Sequence, residues 1–98
     1  MFVNKQHCAE LTAKMLSEMK LDNYSYKVTN RSVNYIYRAL NQFCDDNYEG
    51  MYSSDAGQAF IDLNAGRVPA LSKAHMNTYK NSIARLDYAL DGDYHWKP

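Results

Sequence analysis

The sequence is poor in features that define several whole classes of protein. Its 98 residues include two Cys, two Pro and four Gly, and eleven basic residues are balanced by eleven acidic ones, so the formal net charge is zero. Two cysteines are too few for a disulfide scaffold, and so little Gly and Pro excludes a collagen-like or low-complexity chain. A zero net charge disfavours strong, non-specific nucleic-acid binding, because such binding depends on excess Lys and Arg.

Long hydrophobic runs are also absent. No apolar stretch approaches the roughly 18 residues that a membrane span requires, and no charged-then-apolar signal peptide opens the sequence. We therefore expect a cytoplasmic protein with reduced thiols and no membrane partner. Cys44 is in helical spacing with apolar residues, so we expect its side chain to be buried and to pack as a small hydrophobic residue.

Catalytic and metal-binding residue types occur, but not in a pattern that predicts a site. The sequence has no Gly-rich phosphate loop and no Cys-x-x-Cys, and its three histidines show no metal-ligand spacing to one another or to the cysteines. Acids are paired only at 45–46 and 91–93, both at predicted helix ends, where a solvated turn explains them. We expect this chain alone to have no metal, no cofactor and no enzymatic activity.

What the sequence does contain is helical periodicity, with apolar residues at steps of three and four. The first predicted helix runs from about Asn4, its N-cap, to Asp22. The second spans residues 29–44, with Thr29 or Ser25 as the cap. Its apolar face predicts part of the core and consists of Val33, Ile36, Leu40, Phe43 and Cys44.

Two further helices are predicted in the second half of the chain. A short one is capped by Ser53 or Ser54, stops at 64–66, and has an apolar edge of Ala59, Phe60 and Leu63. The last spans residues 72–90, with Ser72 as the cap and an apolar face of Met76, Tyr79, Ile83, Leu86 and Leu90. No convincing strand pattern occurs, so the prediction is an all-α bundle of three longer helices and one short one.

The opposite faces of the second and fourth helices combine cations with amides. On the second helix, preceded by Lys27, this outer set is Arg31, Asn34, Arg38, Asn41 and Gln42. On the fourth helix, without an acid until Asp87, it is Lys73, Asn77, Lys80, Asn81 and, toward one flank, Arg85. Arg and Lys suit phosphates and guanine edges, whereas Asn and Gln suit adenine edges. Both a solvated surface and a DNA-binding surface fit such faces.

Three stretches resemble the N-terminal core-binding domain of tyrosine recombinases, the phage and transposon integrases. One is YSYKVTNRSVNYIYRALNQFCDD, a capped helix after a Ser/Thr-rich entry, and another is MYSSDAGQAFI, a short helix after a Tyr-Ser entry. The third is HMNTYKNSIARLDYALDGDYHWKP, in which Tyr79, Leu86, Asp87 and Tyr88 precede a Gly turn and a Trp-containing exit. The resemblance spans residues 11–98 and consists of helix phasing and a few aromatics.

The resemblance implies a SAM-like helical fold for residues 1–93 and, in 94–98, the start of a linker to a catalytic domain. It implies double-stranded DNA as a partner, gripped through helices 29–44 and 72–90. The catalytic domain of the same protein would be a second partner, with self-association only in the synaptic complex. Phosphate contacts would come from Lys27, Arg31, Arg38, Lys73, Lys80 and Arg85, and base-edge or water-mediated contacts from Asn34, Asn41, Asn77 and Asn81. The family's catalytic Arg, His-x-x-Arg and nucleophilic Tyr cannot be placed in this chain.

The alternative is a small helical protein-interaction module with no DNA role. It would use exposed Tyr and Met side chains. The sequence has nine Tyr and five Met in all. The hypotheses differ in which substitutions matter: Arg31 or Lys80 for DNA binding, Tyr35 or Tyr88 for a protein complex.

Overall fold

The computed structural model describes the backbone of residues 5–21 and 26–92 and the side chains of residues 5–18 and 35–92. Four helices account for most of this backbone: α1 (Cys8–Leu21), α2 (Tyr26–Asn47), α3 (Ser54–Ala65) and α4 (Lys73–Leu90). Short strands precede α1 and follow α2: β1 (Gln6–His7) and β2 (Met51–Tyr52). The predicted all-α class, with three longer helices and a short one, is confirmed.

The first helix begins four residues later than the sequence predicts. β1 pairs with β2 in an antiparallel ladder, so the chain is extended up to Cys8. The Cys8 N–H then donates to the Gly50 carbonyl at 2.9 Å, which fixes the start of α1 to the turn after α2. Two-residue strands show no readable alternation, and the prediction of no strand was wrong for that reason. The predicted cap Asn4 and end Asp22 lie outside the described residues.

The second helix is longer than predicted at both ends. It begins at Tyr26, so Thr29 lies inside it and is not its cap, while Ser25 lies outside the described residues. It continues past Cys44 to Asn47, whose side chain donates to the backbone carbonyl of Phe43, one turn earlier, at 3.0 Å. Asp45 and Asp46, predicted to follow the helix, therefore lie in its last turn.

The predicted serine caps of the two later helices are confirmed. The Ser53 hydroxyl accepts from the N–H three residues on at 3.4 Å, and the Ser72 hydroxyl does the same at 3.1 Å. Each bond satisfies one of the donors that a first helical turn leaves open. Gly66 ends α3, and the loop of residues 66–72 that follows contains the cis Val68–Pro69 peptide bond.

Successive helices run in opposite directions, whereas α2 and α4 run the same way. In antiparallel pairs, residue numbers increase along one helix as they decrease along its neighbour. The contacts that show this are Thr12–Asn41 and Met15–Tyr37 for α1 and α2, and Ser54–Asp87 and Phe60–Tyr79 for α3 and α4. Between α2 and α4 the residue numbers increase in the same direction, as the contacts Tyr35–Tyr79 and Tyr37–Ser82 show. The bundle thus has a loop end, where α2 and α4 begin beside residues 66–72, and a strand end, where they finish beside β1 and β2.

The core lies between these helices and contains most of the predicted apolar residues. Ile36, Leu40 and Leu86 are fully buried, and Tyr37, which the pattern did not assign to the core, is 2% exposed. The side chain of Val33 lies outside the described residues. In α3 the buried residues are Ala56, Gly57, Phe60 and Asn64. Leu63, predicted at the core edge, is 59% exposed, because the buried positions of α3 advance in four-residue rather than three-residue steps.

Candidate nucleic-acid interface

Most of the predicted contact residues whose side chains are described lie on the surface. On α4 these exposed residues are Lys73, Asn77, Lys80 and Asn81. On α2, Arg38 is exposed as well, and it is two residues from both Ile36 and Leu40, so it lies on the side of the helix opposite the core. The side chains of Lys27, Arg31 and Asn34 lie outside the described residues, although the α2 backbone includes all three positions.

Arg85 is a correction to the predicted interface, because it is 7% exposed. Its guanidinium lies beside the Tyr37 hydroxyl, which donates to the Ser82 carbonyl at 2.8 Å. Burial raises the pKa of Tyr37 to about 12, and the neighbouring Arg85 cation opposes that rise. The Nε atom of Arg85 is buried without a hydrogen-bond partner. The flank that carries Arg85 therefore faces α2, and this side chain is not placed to contact a phosphate.

Asn41 is also less available than predicted. It is half-buried, and its Nδ2 donates to Thr12 Oγ1 on α1 at 3.5 Å. Its Oδ1 is buried without a partner. Asn41 thus belongs to the contact between α1 and α2 and is not placed to read a base edge. Gln42 is exposed, but its amide donates to Asp46 at 2.9 Å.

The outer faces of α2 and α4 both point away from the core. The two helices pack directly together through Tyr37 and Ser82. Arg38 lies opposite the core side of α2, and Asn77, nine residues from buried Leu86, lies opposite the core side of α4. Each predicted face therefore lies on the solvent side of its own helix.

The structure brings the starts of α2 and α4 together at the loop end. Lys27 is in the first turn of α2 and Lys73 in the first turn of α4. Arg67, exposed in the loop after α3, lies at the same end. Arg67 was not among the predicted contact residues, although its position directly before Val-Pro and the start of α4 is a usable signal.

The charged side chains in the end turns of α2 and α4 do not complement the helix dipole. A helix start carries partial positive charge and favours acidic side chains, as Glu10 in α1 and Asp55 in α3 illustrate. The first turns of α2 and α4 contain no acid, and their last turns contain no base. The loop end therefore combines two helix starts and side-chain cations, which attract an anion, with the ends of α1 and α3, which oppose that attraction.

An exposed aromatic ring lies near one of these cations, Arg67. Tyr35 is 47% exposed and packs edge-on against Tyr79, with 6.3 Å between ring centroids and 82° between ring planes. Tyr79 in turn contacts Phe60 at 5.9 Å, so the Tyr35 ring rests on the core. Partial burial and Tyr79 raise the pKa of Tyr35, and the nearby Arg67 cation opposes the rise. Tyr35 was predicted only as a candidate for protein contact.

Acidic residues are gathered at the strand end. Those near the ends of α2 and α4 are Asp45, Asp46, Glu49, Asp87 and Asp91. The buried Tyr52 donates its hydroxyl to Asp87 Oδ1 at 2.5 Å, and Ser54 Oγ lies 3.5 Å from the same oxygen. Burial raises the pKa of Asp87, and these two hydrogen bonds oppose the rise.

The described residues hold neither a metal-binding cluster nor a membrane-spanning helix. Within 5–21 and 26–92, no three His, Cys, Asp or Glu side chains are arranged to hold a metal ion. None of the helices in that part of the chain combines the length and the hydrophobicity that crossing a membrane requires. No protein-family model, curated protein or solved structure matches the chain.

Proposed function

We propose that the chain is a DNA-binding domain that contacts the phosphate backbone with its loop end. The observation that supports this is the shared position of two helix starts, each with a lysine and no acid in its first turn. Backbone N–H groups at helix starts and side-chain cations both bind phosphate oxygens. Most of the described acids lie at the other end, and Glu18 and Asp62 are the ones in the half of the bundle nearer to the duplex.

The proposed approach is end-on rather than along the outer faces. The residues nearest the loop end are Lys27, Arg31, Arg67, Lys73 and Asn77. Arg38, Lys80 and Asn81 lie farther along their helices, so they contact only DNA that extends past the loop end. With so few cations and zero net charge, binding is weak at physiological salt and increases as salt is lowered.

The finer proposal is the core-binding domain of a site-specific tyrosine recombinase or integrase, acting in the cytoplasm. The resemblance of three stretches to that family, in the same order along the chain, supports it. Its partners are then double-stranded DNA and a catalytic domain of the same protein. The gene provides a test: its coding sequence should continue past Pro98 into a domain with an Arg, a His-x-x-Arg and a late Tyr. A stop codon directly after Pro98 would contradict this finer proposal and leave the DNA-binding proposal standing.

Fluorescence anisotropy with a labelled duplex tests the DNA-binding proposal. Lys73→Ala should weaken binding severalfold at low salt and reduce the slope of log K against log salt by about 1, since one phosphate contact is lost. Lys5→Ala is the matched control, because it removes the same charge from the exposed residue before β1, at the strand end. It should leave affinity and slope unchanged.

Two results would overturn the proposal. One is the absence of any duplex binding at low salt by protein whose circular dichroism shows it to be folded. The other is an equal loss of affinity in Lys5→Ala and Lys73→Ala, which would indicate attraction without a defined site. An NMR titration locates the contact, with the largest shifts expected at residues 26–31 and 66–77.

A protein-interaction module is the second candidate function. The observation that favours it is the exposure of large apolar side chains near the loop end: Tyr35 at 47%, Leu63 at 59% and Val68 at 97%. In this case Tyr35→Ala or Tyr88→Ala should disrupt a complex, while Arg31→Ala and Lys80→Ala leave it intact. The two functions are therefore separable with the same set of variants.

A further inference from the structure

A different feature lies at the strand end, where Cys8 and Cys44 meet in the core. Both are free thiols, with side chains 1% and 0% exposed. Gly50 holds their backbones together: the Cys8 N–H donates to its carbonyl at 2.9 Å, and its own N–H donates to the Cys44 carbonyl at 3.0 Å. The two thiols are also hydrogen-bonded to each other. Two neighbouring thiols whose backbones are joined through Gly50 are placed to form a bond.

We propose that Cys8 and Cys44 are a redox-active pair, which hydrogen peroxide oxidises to an intramolecular disulfide between the start of α1 and the last turn of α2. In the first step the Cys44 thiolate attacks peroxide, giving a sulfenic acid and hydroxide. The Cys8 thiol then attacks the sulfenic sulfur, the S–S bond forms, and water leaves. In total, two thiols and one peroxide give one disulfide and two waters.

The hydrogen bond between the thiols assigns the two roles. Donation to Cys44 raises the pKa of Cys8, and acceptance from Cys8 lowers the pKa of Cys44. Because the thiolate is the nucleophile, Cys44 reacts first and Cys8 resolves. The two-residue ladder of β1 and β2 adjoins the pair, and so short a ladder opens locally without unfolding the bundle, which admits a small oxidant.

Intact-mass spectrometry of reduced protein treated with stoichiometric peroxide tests the proposal. The mass should fall by about 2 Da, the two hydrogens lost on forming a disulfide, and dithiothreitol should restore it. A non-reducing digest should join the peptides that contain Cys8 and Cys44. The melting temperature should rise by about 10 °C or more, because the bond closes a loop of roughly 36 residues in the unfolded chain.

Cys8→Ser and Cys44→Ser are the controls, and neither should lose mass or gain thermal stability with peroxide. A second readout uses the wild-type chain alone and does not depend on how the variants fold. Thiols counted in denaturant should fall from two to zero after peroxide, without covalent dimers on a non-reducing gel. The proposal is overturned if both thiols survive peroxide that has oxidised methionine. It is equally overturned if the cysteines are recovered as sulfinic acids or as intermolecular disulfides.

Discussion

The two ends of the bundle are built differently. At the strand end, Tyr52 is fully buried, its hydroxyl is bonded to Asp87, and Gly57 packs against it. At the loop end, Arg67 and Lys73 are exposed and the Tyr35 ring is half out of the core. This contrast indicates that the described side chains of the strand end are tightly packed, whereas those of the loop end include exposed charges. The loop end is free to carry charges that disfavour folding but favour a ligand.

The largest effect that tests this contrast is expected at Gly57. A Cβ added there would lie 2.3 Å from the Tyr52 hydroxyl oxygen and 2.9 Å from Ile83 Cγ2. Gly57→Ala should therefore lower the free energy of unfolding by about 2–3 kcal/mol, measured by urea denaturation, because buried Tyr52 has no room to move aside.

Gly66→Ala is the control at the loop end of the same helix. An added Cβ there would come no closer than 3.8 Å to the nearest atoms, both backbone carbonyl oxygens. Its free energy of unfolding should stay within about 0.5 kcal/mol of wild type. If Gly57→Ala is equally harmless, the strand end is not the tightly packed end.

A smaller effect, with a distinctive pH dependence, is expected for Tyr52→Phe. Burial raises the folded pKa of Asp87 above its ordinary value of 3.8. The folded state then holds the proton more tightly than the unfolded state, so stability falls as pH rises from 3.8 to the raised value. Loss of the Tyr52 hydroxyl raises the folded pKa of Asp87 further, because its hydrogen bond lowers that pKa. The variant should lose about 1–2 kcal/mol at pH 7 and much less below about pH 4.

Urea denaturation across this pH interval measures the difference between Tyr52→Phe and wild type. An Asp87→Asn background removes the titrating group, and in it the effect of Tyr52→Phe should be independent of pH. A pH-dependent difference that persists in the Asn background would assign the effect to another acid of the strand end.

The smallest expected effect is a gain in stability at the loop end. Lys73→Glu places an acid in the first turn of α4, where the helix dipole favours it, and should stabilise the fold by about 0.3–1 kcal/mol. The same variant should abolish the proposed DNA contact. Lys80→Glu makes the same change in the middle of α4 and should leave stability nearly unchanged. If Lys73→Glu is destabilising, the charges of the loop end are not in conflict with the dipole.

The elements that depend on local sequence could be predicted. Ser53 and Ser72 were identified as caps because a cap acts on backbone donors within its own helix. The apolar faces of α2 and α4 were recognised for a similar reason, since residues three and four apart share a side. The surface positions of Arg38, Lys73, Asn77, Lys80 and Asn81 followed from the same periodicity.

The features that depend on contacts between helices could not be predicted. Arg85 is buried because Tyr37 reaches across from α2, and no spacing within α4 encodes that contact. β1 and β2 form only when the start of α1 meets the turn after α2. The shared direction of α2 and α4 places Lys27 and Lys73 at one end, and the sequence alone does not give helix directions.

Most of the described acids lie near the strand end, so the surface charge is unevenly distributed although the net charge is zero. A polyanion therefore exerts a torque on the protein rather than a simple pull, and turns the loop end toward itself. The Debye length is about 10 Å at 0.1 M salt, whereas the molecule is 37 Å along its longest axis. Orientation thus begins only when the two partners are nearly in contact, and the range over which it acts lengthens as salt is removed.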